Sequence, residues 1–163
     1  MLKNNLARAN GTDGLFLCWR VRHGVFENNR LEGNGRFGIS IGHKDSDNLL
    51  QGNQVVRNGS NGVFFRDEAD GMSPHRNRLK NNVIEDNGKD AGTAGIRVRG
   101  EPSGLIFEAN VIRDTRAGAQ KTQTVGILVE DRVGPVQLES NRIEAGTKIE
   151  DRRGTKSQPR LPR

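Results

Sequence analysis

Two residue types in this chain keep a common beat. Asn5, Asn29 and Asn53 lie 24 residues apart, and so do Gly14, Gly38 and Gly62. Two landmarks locked to one period describe a stacked repeat, whose units are too short to bury a core alone and must lie on one another. The register continues through Asn82, Asn110 and Asn141 and through Gly95 and Gly126, with wider gaps. Only 32% of the 163 residues are hydrophobic, and 21 are glycine. In an ordinary domain that balance points toward disorder; a repeat needs only a few inward side chains per unit.

Each repeat reads as three short strands. After the asparagine comes a strand that points Ala7, Leu31, Val55, Ile84, Ile112 and Ile143 inward. A Gly-apolar-x-apolar strand follows: GLFL (14–17), GISI (38–41), GVFF (62–65), GIRV (95–98) and GILV (126–129). The third strand points Phe26, Leu50, Leu79, Phe107 and Leu138 inward. The alternation has period two throughout, and no stretch has a helical period. Two-residue turns of the kind that make hairpins are missing at the needed places. Like strand therefore lies on like strand, in parallel, roughly 4.8 Å apart, with apolar columns inside. Asparagine suits the corner by tolerating the left-handed region and by bonding to copies above and below. A second column, Asn10, Asn34, Asn58 and Asn87, marks the next corner.

The N-x-apolar corner followed by G-I-x-I resembles the right-handed parallel β-helix proteins, the pectate-lyase-like superfamily in the broad sense, over roughly residues 4–147. The expected fold is all-β: a right-handed single-stranded parallel β-helix of about five to six coils, three short strands per coil. The resemblance implies that the glycine strands form the first sheet and that carbohydrate lies across it. Characterised members act on acidic or neutral polysaccharides as lyases, hydrolases or C5-epimerases, others are noncatalytic, and some handle metals in the periplasm. Solenoids need a cap over the first coil, and none is encoded before Asn4. Ala7, Leu15 and Leu17 are then expected at an open end, a site for self-association. Residues 1–150 are expected to be the C-terminal part of a longer solenoid, and 151–163 a basic flexible tail.

Charge narrows the partners. The net charge is +6, but residues 151–163 hold five basic side chains and one acidic, leaving 21 basic and 19 acidic in the body. A nucleic-acid binder shows a basic stripe on its folded surface, so none is expected to bind here. Cys18 is the only cysteine, which excludes an intramolecular disulfide and a cysteine-rich metal site. No signal peptide precedes Asn5, already in register, and no apolar run approaches the ~18 residues of a membrane span. The resemblance implies an extracellular or periplasmic location.

The places where the repeat swells point to function. Glycine to next asparagine takes 15 residues in four coils but 20 from Gly62 to Asn82, the excess falling within 66–76. Asparagine to glycine takes 9 residues three times, then 13 and 16, the additions falling at 88–94 and 115–124. All three insertions border the glycine-strand sheet, where they would wall a groove; loops on a rigid scaffold carry function. The outward column there is Phe16, Ser40, Phe64, Arg97 and Leu128, and either phenylalanine can stack on a sugar ring or pack under a loop.

A polar band follows that sheet: His43, Lys44, Asp45 and Asp47, then Arg66, Asp67 and Glu68, then Arg99 and Glu101, then Glu130 and Asp131. Removing the proton beside a uronate carboxylate needs a base and a cation: His43, His75 or Lys44 for the first, Arg66, Arg97 or Arg99 for the second. Hydrolysis instead needs two carboxylates, such as Asp45 with Asp67 or Asp67 with Glu130. The candidate catalytic set is thus His43, Arg66, Asp67, His75 and Arg97, with Phe16, Lys44, Asp45, Phe64, Glu68, Arg99 and Glu130 binding substrate. No cofactor is expected; Asp45, Asp67 and Glu68 leave room for calcium, although no loop matches a calcium consensus. His23, His43 and His75 lack the spacing of a metal motif, and a metal-handling reading requires the stack to cluster them. The expected function is a polysaccharide-interacting β-helix, a lyase or C5-epimerase on acidic glycans, with a noncatalytic binding or structural solenoid as the alternative.

Overall fold

A computed structural model describes residues 1–154. Eighteen strands form three parallel six-stranded sheets, and each chain circuit adds one strand to each sheet. Sheet A stacks Leu2–Lys3, Val25–Glu27, Leu49–Gln51, Arg78–Lys80, Leu105–Glu108 and Val136–Glu139. Sheet B stacks Leu6–Arg8, Arg30–Glu32, Gln54–Val56, Val83–Glu85, Val111–Arg113 and Arg142–Glu144. Sheet C stacks Leu15–Phe16, Ile39–Ile41, Val63–Phe65, Ala94–Val98, Val125–Val129 and Thr147–Asp151. The expected solenoid and its three strands per coil are what the chain forms. The last strand reaches Asp151, so the first residue of the expected tail belongs to sheet C; the tail from 155 lies outside the described residues.

The pairing register matches the apolar columns residue for residue. Ala7, Leu31, Val55, Ile84, Ile112 and Ile143 are successive partners in sheet B, and Phe26, Leu50, Leu79, Phe107 and Leu138 in sheet A. Inside the stack they are buried, whereas at its last coil Leu138 is 38% exposed. Leu17, expected open at the first coil, is instead buried in the core, while Ala7 and Leu15 are partly buried against it. The glycine column has a steric cause. A Cβ on Gly62 would lie 2.5 Å from Ile84 Cγ2 and 2.8 Å from the Gly95 carbonyl oxygen, so the corner closes only around a hydrogen.

The asparagine columns are hydrogen-bonded ladders, with one correction. Each ladder amide bonds both the backbone N–H and the side chain of the preceding copy, as Asn53 Oδ1 does for Asn29 at 2.9 and 3.0 Å. Its Nδ2 donates to the next copy and to a backbone carbonyl across the corner, for Asn53 to Asn82 Oδ1 and Phe26 O. The left-handed residue, however, is the one before: Asn4, Asn28, Gly52, Asn81, Ala109 and Ser140 have φ between 51 and 64°. Asparagine is there for its amide and not for its backbone tolerance. The Asn10–Asn87 ladder continues into Gln123, whose Oε1 accepts from Asn87 N and Nδ2. A third ladder, Asn48 to Asn77, closes the corner between sheets C and A.

Candidate functional site

That third corner breaks the regular pattern. Beside it, two consecutive residues in each of two coils take positive φ: Trp19 and Arg20 at 64 and 66°, His43 and Lys44 at 47 and 64°. Non-glycine residues adopt this region at a cost of roughly 1–2 kcal/mol, and such outliers gather where a site holds them. Sheet C pairs Ile41 with Phe65, so the period stacks Cys18, Gly42 and Arg66 in one column and Trp19, His43 and Asp67 in the next.

Gly42 is the key to what happens there. A Cβ at this position would lie 2.4 Å from Arg66 Nε, so the missing side chain lets Arg66 reach back across a whole coil. Its guanidinium donates to Leu17 O at 2.8 Å and to Ser40 Oγ at 2.9 Å, and lies 4.4 Å over the Phe16 ring. Nη2 also stands 3.2 Å from His43 Nδ1 and 3.5 Å from Asp45 Oδ2. Nε is buried without a hydrogen-bond partner, 3.8 Å from Glu68 Oε1.

His43 is the hub. Cys18 Sγ lies 3.5 Å from Nδ1, Glu68 Oε1 lies 3.3 Å from Nε2, and Trp19 stacks on the ring at 5.3 Å. With Nε2–H facing Glu68, Nδ1 presents a lone pair to Arg66 and Cys18. The carboxylate orients the ring as carboxylates orient metal-binding imidazoles. Asp45 faces inward and away from any substrate: it is fully buried, and its oxygens accept the Val21 and Gly42 amides. Burial pushes its carboxyl up, those two amides and Arg66 opposing the shift. Burial likewise lowers the Arg66 guanidinium, against Asp45.

The remaining expected residues meet elsewhere. Asp67 binds Arg99 at 2.8 Å and Arg132 at 2.5 Å, and Arg132 also holds Glu101 at 2.6 Å. Arg97 and Arg152 both engage Glu130, at 2.7 and 3.1 Å; burial raises the Glu130 carboxyl, and the two arginines outweigh it. Asp67, Arg99, Glu130 and Arg132 line an open cavity of about 250 Å³. The exposed Asp67 pairs add little stability. His75 bonds Ser103 Oγ and the Asp70 carbonyl, both at 3.1 Å, apart from the His43 cluster's contacts. Phe64 stacks on Phe37 at 4.4 Å, on the border away from the 66–76 loop. Lys44 donates its backbone N–H to Met72 O, pinning that loop beside His43. A second cavity, about 330 Å³ and lined in part by Asp114, Lys121 and Thr124, lies at the other border of sheet C.

Sequence reasoning missed Cys18, Trp19, Gly42, Arg132 and Arg152. The signal was the period itself: Trp19 lies 24 residues before His43 and Cys18 the same distance before Gly42.

A family model described as periplasmic copper-binding protein (NosD) matches residues 1–111, which include the whole His43 cluster. The chain belongs to this family. No curated protein and no solved structure matches it. Among the described residues no helix is long and apolar enough to cross a membrane. Nor do any three histidine, cysteine, aspartate or glutamate side chains group as metal ligands; His23, His43 and His75 are not brought together. What the cluster offers a metal is two donors, Cys18 Sγ and His43 Nδ1, close enough to reach one ion at the ~2.0–2.3 Å that imidazole and thiolate ligands keep. Two donors, one of them sulfur, fit a soft monovalent ion and fall short of the four that structural zinc takes.

Proposed function

We propose that this chain is a periplasmic copper-handling solenoid that holds a monovalent copper ion between the Cys18 thiolate and His43 Nδ1. The observation that carries this reading is the 3.5 Å separation of those two atoms, from residues 25 positions apart in sequence. The family's description supports it, as does Glu68 on the far ring nitrogen. In the bound state the ion replaces the thiol proton, which leaves to solvent. Anaerobic competition with a chromogenic Cu(I) chelator is expected to give one ion per chain. Cys18→Ser should abolish that uptake and Glu68→Gln weaken it about tenfold. Equal uptake by wild type and Cys18→Ser overturns the reading. Trp19, the sole tryptophan, stacks on His43 and gives a second signal through its fluorescence.

A second reading, an acidic glycan lying along sheet C, is favoured by one observation. Phe16 and Trp19 are 49% and 65% exposed and flank the Arg66–His43 pair. Rings beside a cation are what a uronate-bearing chain uses to dock, and a base beside a cation is what a lyase or C5-epimerase requires. Incubation with alginate and polygalacturonate, followed by ultraviolet absorbance for unsaturated ends and by electrophoretic retardation for binding, separates the catalytic from the noncatalytic form. Neither signal with either polymer removes this second reading.

A further inference from the structure

We propose that the corner formed by residues 18–24 and 42–48 docks the protein on an anionic lipid surface. Of the described arginines, only Arg8, Arg20 and Arg22 make no ion pair, and two of these stand at this corner. Lys44 is likewise unpaired among the described residues. Leu15 pairs with Ile39 and Arg22 with Ser46, and the same offset sets Arg20 on Lys44, cation on cation. Arg20 N–H accordingly donates to His43 O at 2.9 Å. Elsewhere stacked charges alternate, as Lys3 on Glu27, Lys80 on Glu108 and Glu85 on Arg113. Like charges in register repel, and both residues also lie in left-handed backbone, at φ 66 and 64°. A partner of opposite charge relieves the repulsion. The corner's own carboxylates do not: Asp45 is buried on the Val21 and Gly42 amides beside Arg66, Arg76 holds Asp47 through two hydrogen bonds, and Glu68 faces Arg66 and His43. Arg22 and His23 act on Asp47 only through space. Asp67 and Asp70, further along the 66–76 loop, face Arg99, Arg132 and His75. Setting Asp45, Asp47 and Glu68 against Arg20, Arg22, Lys44, Arg66 and Arg76 leaves the corner a net charge of +2 with its histidines neutral.

Trp19 supplies the apolar half of the contact. Its indole stays 65% exposed while it stacks on His43, so the ring is held and presented. Indole rings settle at the headgroup level of a bilayer, and guanidinium groups match the geometry of phosphate. Each cation close to an anionic surface adds its own attraction. Shape separates lipid from other polyanions. A corner between two sheets is a convex edge of the solenoid; Arg20, Arg22 and His23 are exposed on it, and neither cavity described above includes any residue of it. Such an edge meets a flat charged surface with several side chains at once and encloses no single sugar. The periplasm of the family's description is bounded by membrane, which puts lipid phosphate at hand. Three cations and one ring, without a lipid anchor, give reversible contact.

The test uses the full chain, kept free of metal by a chelator, and vesicles of phosphatidylcholine alone or mixed equally with phosphatidylglycerol. Co-sedimentation gives the partition coefficient, and Trp19 emission reports burial of the ring. Circular-dichroism melting confirms the fold of each variant. Wild type is expected to bind the anionic vesicles with a blue-shifted emission, to leave the neutral ones, and to be released as salt rises. Arg20→Gln, Arg22→Gln and Lys44→Gln should each weaken partition about fivefold, and the triple variant on the order of a hundredfold. Arg8→Gln removes the third unpaired arginine, in a strand of sheet B outside the corner, and should bind as wild type does. No binding, equal binding to both vesicle types, or a triple variant no weaker than Arg8→Gln overturns the proposal. Vesicle binding without a change in Trp19 emission overturns the placement of this corner at the lipid. Binding of polygalacturonate through the same residues, with none to vesicles, overturns lipid as the partner and gives the corner to an acidic glycan.

Discussion

The corner between sheets A and B and the corner after sheet C are built from the same coils and do opposite things with them. At the first, Asn5, Asn29, Asn53, Asn82, Asn110 and Asn141 repeat one chemistry, and each amide is consumed by backbone and by its neighbours. At the second, equivalent positions hold Cys18, Gly42, Arg66, Arg99, Glu130 and Arg152. No two adjacent members of that column share a side-chain chemistry except the arginines, and one of them reaches past its neighbour to a third coil. Repetition satisfies groups that every coil shares. Departure from it leaves side chains whose chemistry differs from coil to coil, and these pair with one another, as Arg152 does with Glu130, or reach back to other coils, as Arg66 does to Leu17 O.

The largest effect expected from breaking this contrast is at the ladder. Asn53→Ala removes the acceptor for two donors of Asn29 and the donor to Phe26 O, all buried. It should cost about 2–3 kcal/mol, from the penalty of stranded buried groups. Asn5→Ala, at an exposed edge coil, should cost less than about 1 kcal/mol. Denaturant melts of both variants check the pair; equal losses mean that burial is not what gives the ladder its strength.

Next comes a pH effect where the second ladder leaves its own rule. Gln123 takes the place of asparagine because the 115–124 insertion displaces the chain, and Asp114 fixes the insertion by accepting from Thr122 N, Gln123 N and the Arg116 guanidinium. Burial pushes the Asp114 carboxyl up, but Arg116 and the backbone N–H groups outweigh it and bring it to about 2. A depressed carboxyl stabilises the fold above its unfolded value near 3.9 and loses that contribution as pH falls toward 2. Stability should therefore drop by up to about 2 kcal/mol between pH 4 and pH 2 from this group. Asp114→Asn should be less stable at neutral pH and show a shallower acid limb; an identical limb in the variant removes Asp114 as a source.

How much of this was legible in the chain follows from the same contrast. The period exposes whatever every coil must do, so the asparagine and glycine columns, the inward apolar residues and the strand order could all be read from Asn5 to Asn141. The Asn48–Asn77 ladder was hidden because its spacing falls across the 66–76 insertion, and Gln123 because amide chemistry survives a change of residue. The candidate band was found as a neighbourhood, and it does bring His43, Arg66, Asp45 and Glu68 together. Which of those face a ligand depends on side-chain direction. Asp45 turns inward, and Asp67, one residue from Arg66, turns to Arg99 and Arg132. A one-residue step along a strand or turn reverses the face, and no spacing in the sequence reports that.

Gly42→Ala sharpens the contrast from the other side. Its Cβ would meet Arg66 Nε at 2.4 Å, so the guanidinium must shift while its charge remains. Overpacking of this kind costs about 1–2 kcal/mol. The Cys18–His43 pair should survive it with altered Trp19 fluorescence. A variant with wild-type stability and fluorescence means that Arg66 has other room, and the clamp is looser than the geometry implies.

The smallest stability effect should accompany the largest loss of binding. Cys18 is partly exposed at the first coil, its sulfur lies against the His43 ring, and its removal takes no partner from a buried backbone group. Cys18→Ser keeps the volume and a hydrogen-bonding atom, so its melt should stay within about 0.5 kcal/mol of wild type, as surface substitutions do. The same change exchanges a soft sulfur donor for a hard oxygen, which a monovalent copper ion does not favour, and uptake should vanish. Asn53→Ala makes the mirror image, since a folded fraction with a lowered melting point should still bind at full strength. If Cys18→Ser instead unfolds the chain, or Asn53→Ala alone abolishes uptake, then ladder and site are one cooperative unit and the division between the two corners fails.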